Sequence, residues 1–120
     1  MRHTLIKMTK LHCLADICLI PIGTPTSSVS EYVTKVVEVF RDSGLKYTLH
    51  SAGTTIEGPW DEVTAVIGKA HEEVHAMGVV RIQSDIRIGT RTDKHQTPED
   101  KVNSVKAKLE RNLKKEYKEN

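Results

Sequence analysis

Apolar residues run almost without interruption from Cys13 to Ile22 and then change rhythm. A continuous run rich in isoleucine, closed by Pro21 and Gly23, predicts a central β-strand covered on at least one face. Beyond it, Val29, Val33, Val36, Val37 and Phe40 fall on one helical stripe. Ser28 and Glu31 stand at capping-box spacing and Gly44 supplies a stop, so this helix is predicted over about Val29 to Ser43. Lys46 to Ser51 and Thr54 to Gly58 read as short strands joined by a tight turn at Ala52-Gly53. Pro59 suits the first turn of a second helix, whose stripe is Val63, Val66, Ile67, Ala70, Val74 and Met77 and whose stop is Gly78. Val80, Ile82, Ile86 and Ile88 then alternate with Arg81, Gln83, Asp85 and Arg87, the period-two pattern of a strand with one face against helices. Thr97, Pro98, Glu99 and Asp100 form a helix start, and Val102, Val105, Leu109 and Leu113 the stripe of a third helix.

The order is βαββαβ plus one helix, an α+β class. Crossovers of this kind favour a four-stranded antiparallel sheet with two helices on one face, the split βαβ arrangement. One sheet face is then left without helices, lined by Arg81, Gln83, Asp85 and Arg87 together with Asp16 or its neighbours. A second copy related by a twofold axis is the natural cover, giving a homodimer or homotetramer. The alternative is a solvated polar face, which antiparallel sheets tolerate.

Length and charge narrow the choices. At 120 residues the chain makes one domain, placed at 12–115 between an N-terminal extension at 1–11 and a tail at 116–120. Such a domain buries roughly two-thirds of its unfolded surface, so no cofactor is required to hold it together. With 18 basic and 16 acidic side chains the net charge is only +2, aromatics are 4%, and the sole basic stretch is Lys106 to Lys118. Nucleic acid, which wants a clustered basic face with stacking aromatics, is not the expected partner. Asp16 interrupts the first apolar run, which fits neither a signal peptide nor a membrane span. Cys13 and Cys18 lie on opposite faces of one strand, about 16 Å apart, and cannot pair. Unpaired cysteines without a leader fit a reducing compartment, and the cytoplasm is the expected location. The acid-free segment with Arg2, Lys7 and Lys10 also admits a short mitochondrial presequence, with Met8 as an alternative start.

Three segments can carry chemistry. His71-Glu72-Glu73-Val74-His75 matches H-E-x-x-H, in which two histidines one turn apart grip zinc and the glutamate acts as base. Both histidines lie about 100° round the helix from the core stripe, at the boundary with solvent, and no third ligand or cleft is evident. Arg91, Thr92 and Lys94, on the loop after the fourth strand, offer donors for a phosphate or else pair with nearby charges. The third segment is Ser51-Ala52-Gly53-Thr54-Thr55-Ile56-Glu57-Gly58-Pro59-Trp60, which packs hydroxyls, a lone acid and two glycines between a strand and a helix start. It reads as the edge of a site for a small polar ligand, or simply as a hairpin with Trp60 plugging the core or an interface.

This block, with Cys13-Leu14-Ala15-Asp16-Ile17-Cys18-Leu19-Ile20-Pro21-Ile22-Gly23 before it and Asp85-Ile86-Arg87-Ile88-Gly89-Thr90-Arg91-Thr92-Asp93-Lys94 after it, resembles the small thiamine-binding-protein family, an uncharacterised protein family for long. The resemblance covers about Cys13 to Leu113 in order. It implies a ferredoxin-like fold that assembles through its sheets and binds thiamine or its pyrimidine half without chemistry. It carries over to Ser51, Thr54, Thr55 and Glu57, and the candidate ligand-binding set is completed by Trp60, Arg87 and Lys94. Within it, the Glu57 carboxylate suits an aminopyrimidine edge, the hydroxyls fix orientation, and a cationic thiazolium sits well beside an acid or an aromatic face. The competing readings are a small metal-dependent hydrolase using His71, Glu72 and His75, and a ligand-free structural or regulatory oligomer.

Overall fold

The computed structural model describes residues 9–93 and 98–119. Its elements are β1 His12–Ile22, α1 Ser30–Asp42, β2 Lys46–His50, β3 Gly53–Pro59, α2 Trp60–Ala76, β4 Arg81–Thr90 and α3 Pro98–Glu119. The strands form one antiparallel sheet in the order β2-β3-β1-β4, the ferredoxin-like arrangement expected from the element order. β1 is central because its apolar run can be flanked by strands and covered by helices at once.

Period two sorts β1. Cys13, Ala15 and Ile17 point to the helices and are buried with Ile56 of β3, Val36 and Phe40 of α1, and Val63, Ile67, Ala70 and Val74 of α2. Ala15 stands between Ile56 and Ile88, whereas Asp16 stands between Thr55 and Arg87 on the opposite, helix-free face. Cys13 is buried in the core and Cys18 half-buried on that other face, both as free thiols.

Local differences from the sequence reading have physical causes. No capping box forms: Val29 is the N-cap of α1 with no side-chain cap bond, its carbonyl receiving the Tyr32 and Val33 N–H groups. Ser28 stands one residue too early, its Oγ 3.4 Å from that of Ser30. Pro59 ends β3 and caps α2 rather than opening it, while the Trp60 N–H bonds the Leu11 carbonyl at 2.8 Å. Val80, assigned above to the apolar face of the fourth strand, is 92% exposed, and Val79 enters the core instead. The cause is the helix stop: Gly78, at φ 96°, turns the chain so that Val79 faces inward before β4 begins at Arg81.

α3 stands apart. Among the described residues it packs extensively on no other element, and Val102, Val105, Leu109 and Leu113 are each more than half exposed. Lys46 on β2 bonds Glu99 in its first turn. The molecule is accordingly elongated, 69 × 45 × 21 Å. No helix among the described residues is long and apolar enough to cross a membrane.

Candidate ligand-binding site

The β2–β3 hairpin turns at Ser51 and Ala52, with Leu49 opposite Thr54 and His50 opposite Gly53. β3 pairs with β1 only as far as Thr54 and Ile17, yet β1 and β4 stay paired to Ile22 and Arg81. Cys18 to Ile22 therefore have a neighbouring strand on one side only. The hairpin closes this gap from below, because Gly53 presses directly on the Ile17 carbonyl where a Cβ would overlap the oxygen. α1 closes it from above with Val29 and Val33, the exposed start of its stripe. The result is a mostly apolar cleft of about 220 Å³ whose walls include Leu19, Val29, Val33, Leu49, Ser51 and Thr54.

The hairpin is also tied to the other sheet face. The Ala52 N–H donates to His50 Nδ1 at 3.2 Å, which leaves the proton of the neutral ring on Nε2; that nitrogen donates to Asp16 Oδ1 at 2.6 Å. Thr55 Oγ1 also donates to Asp16 Oδ1, at 3.4 Å. Here lies a second depression of about 370 Å³, bordered by Asp16, Asp85 and Arg87, which shares Ile17, Cys18 and Ala52 with the first. Among the described residues Asp85 and Arg87 make no ion pair. The sequence reading placed His50 at the head of the Ser51 to Trp60 block without a role, since nothing local marks a histidine that reaches a strand 34 residues earlier.

The residues singled out in the sequence are thus divided. Ser51 and Thr54 line the helix-side cleft. Thr55, Glu57 and Arg87 occupy the helix-free face. Glu57 is 7% exposed, with Oε1 3.7 Å from Lys46 Nζ and Oε2 3.7 Å from His12 Nε2, and among the described residues no hydrogen bond reaches Oε2. Trp60 begins α2 and packs half-buried against the core. Lys94, His95 and the expected N-cap Thr97 lie outside the described residues, as does the segment 1–8. Of the remaining candidate phosphate ligands, Arg91 forks onto Asp93 through Nε and Nη2, and that carboxylate raises the pKa of the guanidinium above its ordinary value.

The H-E-x-x-H histidines are engaged in the fold. His71 Nε2 lies 2.6 Å from Ser84 Oγ on β4, and His75 Nδ1 donates to the Val79 carbonyl at 2.7 Å, bracing the end of α2. Burial, aided by the neighbouring His75, lowers the His71 pKa. Among the described residues no three His, Cys, Asp or Glu side chains are grouped to hold a metal.

These features define a small ferredoxin-like domain with a ring-sized cleft where its sheet runs out of partners. Residues 15–106 match the model of the thiamine-binding protein family, and the chain belongs to that family. A relative from Eremothecium gossypii, UPF0045 protein ECM15, is 59% identical over 102 residues, covering 85% of this chain and 97% of its own. One from Synechocystis, also a UPF0045 protein, is 45% identical over 104 residues, covering 87% and 85%. Among solved structures, protein MJ1052 of Methanocaldococcus jannaschii superposes with a TM-score of 0.71 at 36% identity, covering 78% of this chain and 95% of that one. A Thermotoga maritima protein named for thiamine biosynthesis or salvage shares the fold, with a TM-score of 0.67 at 19% identity and coverage of 78% and 98%.

Proposed function

We propose that this protein binds thiamine or a related pyrimidine without turning it over, as carrier, buffer or sensor in the cytoplasm, and works as a homo-oligomer packed through the helix-free sheet face. The observation that carries the ligand reading is the cleft between α1 and the β2–β3 hairpin, in a chain of the thiamine-binding family. Its 220 Å³ is below the roughly 300 Å³ at which drug-sized sites begin, so one substituted ring enters and the rest of the ligand lies outside. The pyrimidine goes in, between Val33 and Leu49, with the Ser51 and Thr54 hydroxyls orienting it. The cationic thiazolium passes over Ala52 toward the Asp16 and Asp85 carboxylates, which border the adjoining depression on the packed face, so this outer part of the ligand lies between the two copies. Arg87 in that depression suits the phosphate of a phosphorylated form, with Lys94 as a second cation. Thr55 and Glu57 belong to the face on which a second copy sits, and Trp60 supports α2.

Calorimetric titration with thiamine tests the reading. The wild type gives saturable heat, and Val33→Trp, which fills the cleft from an exposed wall position, abolishes it while leaving the far-UV spectrum unchanged. Saturable binding that survives Val33→Trp places the ligand elsewhere, and no heat with the wild type removes the ligand assignment.

A further inference from the structure

β1 is paired on both sides up to Ile17 and on one side only from Cys18 to Ile22. The Ile17 carbonyl oxygen faces Gly53, so the polar groups of Ile17 point toward β3. Main-chain groups two residues apart on a strand point the same way, which sends those of Leu19 and Pro21 to the side that β3 has vacated. Proline brings no N–H, and its position inside β1 is tolerated because that side has no ladder to complete. Leu19 is thus the one residue of this stretch presenting both an N–H and a C=O toward the vacated side. Among the described residues no turn, loop or side-chain hydrogen bond reaches either group. Leu19 also lines the cleft, together with Leu49, Gly53 and Thr54 of the hairpin.

From this geometry we infer that the main chain of Leu19 reads the 4-aminopyrimidine edge of the ligand, its N–H donating to the ring nitrogen and its C=O accepting from the exocyclic amine. The inference rests on the ligand reading above and deepens it by assigning the specificity. The Ser51 and Thr54 hydroxyls rotate to donate or to accept, so they hold a ring without distinguishing amine from oxo. A strand edge has its donor and acceptor fixed in place, and a 4-oxo ring presents the opposite pattern. Two unpaired polar groups against the wrong ring discriminate strongly, as sites built to hydrogen-bond their substrates do. Val29 and Val33 line the same cleft, and a donor–acceptor pair in apolar surroundings is strengthened.

Titration of the full-length 15N-labelled protein with thiamine, followed by amide shifts and hydrogen exchange, tests this. The expected result is a saturable downfield shift and slowed exchange at the Leu19 amide, with the 4-oxo analogue of thiamine binding at least about tenfold more weakly. Saturable shifts around the cleft with the Leu19 amide unmoved and still exchanging freely overturn the inference and leave the ligand reading standing. Equal affinity for thiamine and its 4-oxo analogue overturns it as well. No saturable shift anywhere removes the ligand reading and this assignment with it.

Discussion

Replacing Gly53 by alanine probes the element on which the cleft depends. The added Cβ would stand 3.1 Å from the Ile17 carbonyl carbon and 3.5 Å from Cys18 Cα, and overlap the Ile17 oxygen. Every neighbour is backbone, so no side chain can swing away. Carbon and carbonyl oxygen settle at about 3.3 Å or more, so the hairpin must lift off β1 locally. Overpacking of this kind costs about 1–3 kcal/mol, and straining the last rung, where Thr54 stands opposite Ile17, adds about 1 kcal/mol. The sum of about 2–4 kcal/mol corresponds to a drop in melting temperature of roughly 8–20 °C for a chain of this size. Thermal and urea melts of both proteins measure it. Because the same turn carries the Ala52–His50–Asp16 chain of hydrogen bonds, thiamine affinity should also fall in samples that remain folded. A variant that melts within a degree or two of wild type would refute the close approach of β3 to β1 and, with it, the cleft floor.

Gly68→Ala should do the reverse, raising stability by about 0.5–1 kcal/mol in urea melts, since Gly68 lies inside α2 where an added methyl would point into open space. Arg87→Glu places an acid beside Asp85 and opposite Asp16 on the helix-free face; sedimentation should then show a smaller species than wild type, and an unchanged mass would mean that copies do not meet there. His71 is held below its ordinary pKa of 6.5, so the unfolded chain takes up the proton first. Stability conferred by neutral His71 is complete above pH 6.5 and is lost as pH falls below it; urea midpoints between pH 5 and 8 should show that slope in the wild type and a flatter one in His71→Asn.

The fold was readable because each stretch carried one clear period: Cys13, Ala15 and Ile17 of β1, Val36 and Phe40 of α1, and Val63, Ile67, Ala70 and Val74 of α2 form the core, while Met77 and the ends Ile20 and Ile22 of the β1 run are exposed. The site was less so. Ser51 to Trp60 is contiguous in sequence, but a strand sends Thr54 to the helices and Thr55 and Glu57 to the opposite face, so a continuous motif becomes two separated groups. Val29 and Val33 lie on the α1 stripe yet line a cleft, because the stripe extends past the end of β3. One signal for this was present: the apolar run of β1 is about twice as long as the Thr54 to Gly58 segment that borders it. Where pairing ends, however, is a property of register, and register emerges only when the strands meet.

Pro21 bears on solubility as well as on shape. A strand flank left open is a template on which other chains can add, and its danger grows with the number of consecutive donors and acceptors it offers. Here the vacated flank of β1 offers Leu19 and then a proline that cannot donate, closed below by Gly53 on Ile17 and overhung by α1. One complete donor–acceptor pair is too little for an incoming strand to zip onto, yet it suffices for a single planar heterocycle. Pro21 thus limits this edge to one complete donor–acceptor pair, which leaves an added strand little to grip.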